Sequence, residues 1–523
     1  MSEGEIVGAA ALQQEYDVIV VGSGGGALTG AALAAAAGLS TLVLERTALI
    51  GGTSAYSGGA CWLPGTAVQQ RAGLPDSTEG ARAYLAGVLD AETLEANHER
   101  IEALLAEAPR LVERLEADPL MTFEWIPFAE YYDAPGRVPM GRSIQPSAIK
   151  RAELDPAVTA VLRPPVDKDR AGLPGRSTLS GGQSLIARLA AMLVRDGGTI
   201  ATGHQVVGLA RSSSAAGGRV DTVRAEGPDG PVELRARRGI LVAAGGFEGS
   251  EARRKEHGTP GSAAWTMAPA GTNTGEIIDA AAAVGAATDF SGEGWFCPGL
   301  EQPDGSGTFT LGFRSGLMVD ATGRRYANEC LPYDRFGRAM AAAPERVPSW
   351  FLFDSAEGGR LPAIAMPEGD PAEHLAAGTW VRADTVAGLA EATGLDAEAL
   401  TATVDRFNGF CATGVDEDFG RGADEYDTFF AGGGGPNKAL VPLAQPPFYA
   451  ARFVLSDLGT KGGLVTDAAA RVLDDAGAPL PGLYAASNST ASVFGGAYPG
   501  PGAPLGAAMT FASLAVRDML DGG

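Results

Sequence analysis

Cysteine is scarce: four in 523 residues (Cys61, Cys297, Cys330 and Cys411), none in a C-x-x-C pair. That spacing excludes a disulfide scaffold and offers no zinc ligand set, and it points to a reducing, cytoplasmic setting. Histidine is equally rare, with His98, His204, His257 and His374 alone. Positive charge is in deficit, 40 Lys and Arg against 63 Asp and Glu, a net charge of −23. Without a basic face the chain has no means of holding a phosphate backbone, which excludes nucleic acid as a partner. The same sign disfavours an anionic membrane surface. Long hydrophobic runs are missing too. Ala27–Leu39 is alanine-rich, short and preceded by a glycine turn, and reads as a packed helix rather than a membrane span. The opening MSEGEIVGAAALQQ lacks the basic and apolar regions of a signal peptide.

What is present is ordinary globular composition, 45% hydrophobic and 20% charged, with length for two or three domains. Glycine is abundant, at 74 residues, and clusters in turns. The segment EYDVIVVGSGGGALTGAALAAAAGLSTLVLER reads as strand (Tyr16–Val21), turn (Gly22–Gly26), helix, and a second strand (Ser40–Leu44) ending at Glu45. Residues 76–117 carry helical spacing. Residues 123–144 mix aromatics, Pro and Gly, as a lid or pocket wall would. Residues 208–244 alternate like a β-meander that ends in the apolar strand Gly239–Ala244. Residues 431–438, AGGGGPNK, read as a surface loop.

The turn Gly22-Ser23-Gly24-Gly25-Gly26-Ala27 fits G-x-G-x-x-G/A. On its own the motif says little. Here a strand precedes it, a helix follows, and an acid, Glu45, closes the next strand, which together point to a bound dinucleotide. Gly22 permits the tight turn, Gly24 lets the pyrophosphate approach the backbone, and Ala27 lets helix and strand pack closely. The helix start offers unpaired N–H groups to the phosphates, and Glu45 can accept from a ribose. A second glycine–hydroxyl turn, IGGTSAYSGGACWLPGT, follows directly and favours FAD over NAD.

The ordered set GSGGGA, GGTSAYSGG, SGGQSL, VAAGGFE, GRRYANE, GTKGGLVTDAAARVLD, GLYAASN and YPGPGAPLGAAMTF resembles the succinate dehydrogenase/fumarate reductase flavoprotein superfamily. Within it, DLGTKGGL, NECLPYDRFGRAM and AYPGPGAPLG resemble the 3-ketosteroid Δ1-dehydrogenases, over about residues 15 to 518. The resemblance implies an α/β fold. A Rossmann-like FAD-binding domain is built from both chain ends (1–287 and 447–523), with an inserted α+β catalytic domain (288–446). It implies non-covalent FAD, a 3-ketosteroid substrate and an external electron acceptor such as a quinone. It leaves the oligomeric state and loose membrane contact open.

Site residues follow from the motif matches. Tyr333 matches the base that removes the C2 proton, and Tyr131 the tyrosine that assists it, with Tyr132 next to it as the competing alignment. Tyr498 and the backbone N–H of Gly502 match the pair that polarises the C3 ketone. For FAD the resemblance names the first turn, Gly22 to Ala27, then Glu45 and Arg46. It adds Gly52, Thr53, Ser54, Ser57, Gly58 and Gly59 of the second turn, Val207, and Ala244, Gly245 and Gly246. Asn488 and the helix start Pro504, Leu505 and Gly506 complete it. Ser487 departs from the pattern, since glycine is usual before Asn488. Phe128, Phe296, Phe313, Phe494 and Tyr56 are expected to border the steroid slot or to pack as core. Three alternatives stay open: a Δ4-(5α)-dehydrogenase, a fumarate-reductase-like flavoenzyme, and a flavin- or steroid-binding protein without turnover. The fumarate-reductase chemistry needs histidines and arginines for two carboxylates, and no histidine stands in the relevant motifs.

Overall fold

The computed structural model describes residues 4–7, 12–212 and 218–522. Part of the expected meander, residues 213–217, lies outside the described residues. Two compact units form: Met1–Arg253 with Ala268–Glu293 and Thr460–Gly523, and Arg254–Met267 with Gly294–Gly459.

The first unit is built on a parallel sheet. Strand β1 (Glu15–Val21) pairs with β2 (Thr41–Glu45) in the register Val18↔Thr41 to Val21↔Leu44. Thr199–Thr202 and then Glu5–Val7 extend this side. On the other flank lies the 13-residue strand Gly230–Val242, which serves several neighbours. Its start pairs antiparallel with Val220–Gly227, and that strand with Gln205–Arg211, giving the expected meander. Its end runs parallel to both β1 and Pro479–Ala485. The last strand therefore comes from the far end of the chain. These inner strands are apolar almost throughout because both faces are buried.

Helix α1 (Gly25–Ala36) leaves the β1 turn and packs along α2 (Ala503–Asp521). It has no polar face because it has no solvent face: ten of its twelve residues are buried. Glycines set the closeness. A Cβ on Gly30 would lie 2.5 Å from Leu241 Cδ2, and one on Gly26 would lie 2.9 Å from the Ala508 carbonyl. The helical stretch expected over 76–117 resolves into Thr78–Val88, Ala91–Ala96 and His98–Glu116. The breaks follow capping, with Ser77 accepting from Gly80 N and Asp90 from Thr93 N.

The second unit has a sheet ordered Gly294–Leu300, Phe448–Thr460, Ser349–Phe353, Leu317–Val319, with Trp380–Ala383 also on the central strand. That central strand explains why the boundaries differ from 288 and 446. Phe448–Gly459 belongs to this sheet, whereas Thr288–Asp289 pairs with Gly463–Leu464 in the first unit. Arg254–Met267 joins it through Asp457, which accepts from Arg254 Nη1 and Thr266 Oγ1 at 2.7 Å each. Among the described residues no helix is long and apolar enough to cross a membrane, and no cluster could hold a metal ion.

A buried charge cluster organises this unit. Arg325 bridges Glu329 and Asp416 at 2.9 Å each, and Arg421 reaches Glu329 at 3.1 Å. Burial alone would raise the pKa of the Glu329 carboxyl, but the two guanidiniums hold it below the ordinary value of 4.5. A depressed carboxylate stabilises the fold above its unfolded-state pKa, and that stability is lost as pH falls through the folded one. Urea midpoints should therefore drop as pH is lowered below about 4.5. Glu329→Gln should cost about 3–5 kcal/mol at neutral pH by stranding buried guanidinium charge. A variant of wild-type stability would contradict this account.

Candidate active site and cofactor cradle

The stretch Gly495–Gly502 is full of helix- and strand-breakers, and of its carbonyls Gly500 O and Gly502 O accept from the helix that follows, from Ala503 N at 3.1 Å and Gly506 N at 2.8 Å. Donors from elsewhere in the first unit serve others and add to Gly502 O. Pro499 O accepts from Tyr84 Oη at 2.6 Å and from Tyr131 N at 3.2 Å. Pro501 O accepts from Ser143 Oγ at 2.6 Å, and Gly502 O from Trp62 N at 3.1 Å. The Lys461 ammonium, itself buried, donates to Gly496 O at 2.7 Å and Ala497 O at 3.2 Å. Burial pushes the Tyr84 phenol far above its ordinary pKa, so it stays a donor.

Tyr131 and Tyr498 meet here, edge to face with ring centroids 5.2 Å apart and both 2% exposed. Tyr132 is only half-buried, and its backbone N–H donates to Tyr84 Oη. Glu130, just before Tyr131, is fully buried against Arg142, with Nε at 2.6 Å and Nη2 at 3.1 Å. Trp62 Nε1 and Val138 N also donate to it, and Arg142 Nη1 reaches Asp76 at 2.7 Å. Burial outweighs Arg142 at Asp76 and raises its pKa.

Gly502 begins α2 with φ of +80°, and a Cβ there would lie 2.1 Å from Ala60 O, so only glycine fits. As N-cap it presents an N–H outside the helical ladder. A Cβ on Gly506 would lie 2.4 Å from the Trp62 carbonyl oxygen.

The expected cofactor residues of the glycine turns converge. Gly22 has φ of +99°, and a Cβ there would lie 2.6 Å from the Ala243 carbonyl oxygen. Ser54 Oγ accepts from Gly25 N at 3.0 Å, and a Cβ on Gly25 would lie 2.4 Å from Leu505 Cδ1, beside Pro504 in the first turn of α2. The second turn (Gly52–Tyr56) continues through Ser57 and Gly58 to Gly59. Gly59 packs backbone to backbone against Gly181, where the SGGQSL helix begins. Ser489 Oγ accepts from Ala244 N at 3.0 Å and donates to Gly245 O at 2.7 Å, which draws Ala244–Gly246 to Asn488. Glu45 already takes bonds from Ser23 Oγ, Thr47 N and Thr47 Oγ1, leaving one of about four acceptor sites. Arg46 turns to Thr274 and Glu276. Val207 is 49% exposed, where the meander's register slips.

Tyr333 is the first residue of the helix Tyr333–Ala341 in the second unit. It is 5% exposed, with the Phe309 ring 4.8 Å away. That helix lies flat on its sheet because Gly337 meets the Phe296 and Cys297 backbone. The expected pocket aromatics divide. Phe494 packs edge-on to Trp62 and Phe128 edge-on to Tyr131. Phe313 is core, ringed by Phe336, Phe351 and Phe453, and Phe296 belongs to the same cluster. Tyr56 gives its hydroxyl to Asp169, which Arg163 also holds. Sequence reasoning passed over Tyr84, Trp62, Glu130, Arg142, Lys461 and Phe309. Only Lys461 left a trace, as a lone charge in GTKGGL.

Residues 17–505 match a family described as an FAD binding domain. The 3-oxosteroid 1-dehydrogenase of Rhodococcus opacus is 40% identical over 97% of this chain and 98% of its own. The chain belongs to the FAD-binding family of the 3-oxosteroid 1-dehydrogenases. The crystal structure of 3-ketosteroid Δ1-dehydrogenase from Sterolibacterium denitrificans, in complex with 1,4-androstadiene-3,17-dione, superposes with TM-score 0.88 and 31% identity, covering 98% and 100% of the two chains. A 4-oxocyclohexanecarboxylate 2-dehydrogenase from Sinomonas cyclohexanicum is 35% identical over 96% of this chain and 92% of its own. The residues present suit FAD: Thr53 Oγ1 is buried without a protein partner within the second turn, next to Ser54 and the α1 start.

The turn depends on buried donors, so removing one leaves carbonyls unsatisfied. Lys461→Met should lower stability by about 1–3 kcal/mol in chemical denaturation. It should also speed proteolysis near residues 495–502. Unchanged stability and cleavage would contradict the clamp.

Proposed function

We propose that this flavoenzyme desaturates a 3-ketosteroid between C1 and C2. One observation carries the reading: in a chain of this family, the Tyr498–Gly502 turn is held rigidly by buried donors. A C2 proton beside a ketone is only weakly acidic. It leaves readily when the ketone oxygen is stabilised as it gains negative charge. The Tyr498 hydroxyl and the Gly502 N–H are the two donors for that oxygen, and a preorganised donor of this kind contributes about 10²–10³ in rate.

Tyr333 takes the proton from C2. A phenol ordinarily ionises near 10, but the first residue of a helix feels the positive end of its dipole, which favours the anion. Tyr131 is the phenol that family likeness assigns to assist it. Bound FAD supplies the acceptor for the hydride that leaves C1. With proton and hydride gone, the electron pair closes the C1–C2 double bond.

FAD is held without a covalent bond in this reading. The second glycine turn, Gly51–Gly59, contains no histidine to form one, and acid or denaturant should release all the flavin. The acceptor that reoxidises it is a small diffusible molecule such as a quinone. A second reading, desaturation of a smaller cyclic keto acid beside its ketone, is favoured by the 35% identity to the Sinomonas enzyme. It would use the same donors and base but needs a cation for the carboxylate.

Tyr333→Phe should retain FAD and a wild-type melting profile while turnover falls about 10²–10⁴-fold. Tyr498→Phe should lose about 10²–10³-fold. Near-normal turnover in Tyr333→Phe would refute its role as base.

A further inference from the structure

Ser487 is one of three non-glycine residues with positive φ among those described, at +63°. In this region a side chain is disfavoured and glycine is not. The chain therefore keeps a strained serine where an unstrained residue is available, and retained strain of this kind points to a function.

The surroundings indicate which function. The Ser487 carbonyl is fixed by Thr490, accepting from its N at 3.2 Å and its Oγ1 at 2.9 Å. Ala486 N is fixed on Val242 O at 2.9 Å. The backbone is thus clamped on both sides. Ser487 Oγ reaches a point only 2.7 Å from where a Cβ on Gly26 would be, in the first turn of α1. Ser54 Oγ contacts the same turn through Gly25 N. Two hydroxyls therefore flank the helix start that the glycine fingerprint assigns to the dinucleotide's phosphates.

We propose that Ser487 donates a hydrogen bond to the phosphate–ribityl segment of FAD, a contact that glycine at this position cannot make, and that this contact offsets the backbone strain. The proposal rests on FAD binding and not on the identity of the oxidised substrate.

Two variants separate hydroxyl from backbone. Ser487→Ala removes the hydroxyl and keeps the strain, and Ser487→Gly removes both. Apoprotein, prepared by releasing the flavin, is titrated with FAD and followed by quenching of flavin fluorescence. Both variants should bind FAD about ten-fold more weakly, as expected for a lost bond to a charged group. Apo Ser487→Gly should melt above apo wild type, and apo Ser487→Ala should not. Ser487→Ala binding within two-fold of wild type would overturn the proposal. So would weakened binding in Ser487→Ala alone, because that would trace the effect to the backbone.

Discussion

Unsatisfied carbonyls are the constraint on which the first unit's site depends. The Gly495–Gly502 turn cannot pair with itself, and buried carbonyls without donors cost too much to keep. Tyr84, Tyr131, Ser143, Trp62 and Lys461 resolve this from five places in the sequence. The fixed turn then aligns the Tyr498 ring with Tyr131. The Glu130–Arg142–Asp76 cluster is a further layer of the same arrangement, anchoring the segment that carries Tyr131. Such a cluster adds little net stability by itself but penalises any other arrangement of the segment.

The cradle obeys a second constraint, closeness of backbones. At Gly22, Gly26, Gly502 and Gly506 a Cβ would strike the backbone of another segment, and at Gly25 it would strike the Leu505 side chain. α1 and α2 therefore begin side by side, with their positive ends at the two glycine turns. A cofactor with a pyrophosphate and a ring that turns anionic on reduction suits that pair of helix starts.

Periodicity and the glycine fingerprint made the β1–α1–β2 unit and the meander legible, because each rests on local pattern, while the return of the C-terminal strand to the first sheet was implied by motif likeness. Motif likeness singled out Tyr131, Tyr333, Tyr498 and Gly502. The scaffold around them was not legible. Tyr84 and Trp62 look like any buried aromatic, and Glu130 and Arg142 like surface charge, until tertiary contacts bring them together. Phe313 shows a choice that sequence leaves open: its motif neighbours allow pocket wall or core, and its ring packs in an aromatic core. The domain boundary shifted for a similar reason, since pairing of Phe448–Thr460 is set by distant strands.

The most direct measurement of the central claim is anaerobic mixing of the oxidised protein with androst-4-ene-3,17-dione, watching the flavin band and identifying the product. The account predicts bleaching with one equivalent of the 1,4-diene formed. A colourless protein, or bleaching by a 5α-saturated steroid alone to give a 4-ene, would contradict it. Bleaching by 4-oxocyclohexanecarboxylate but not by the steroid would contradict it equally.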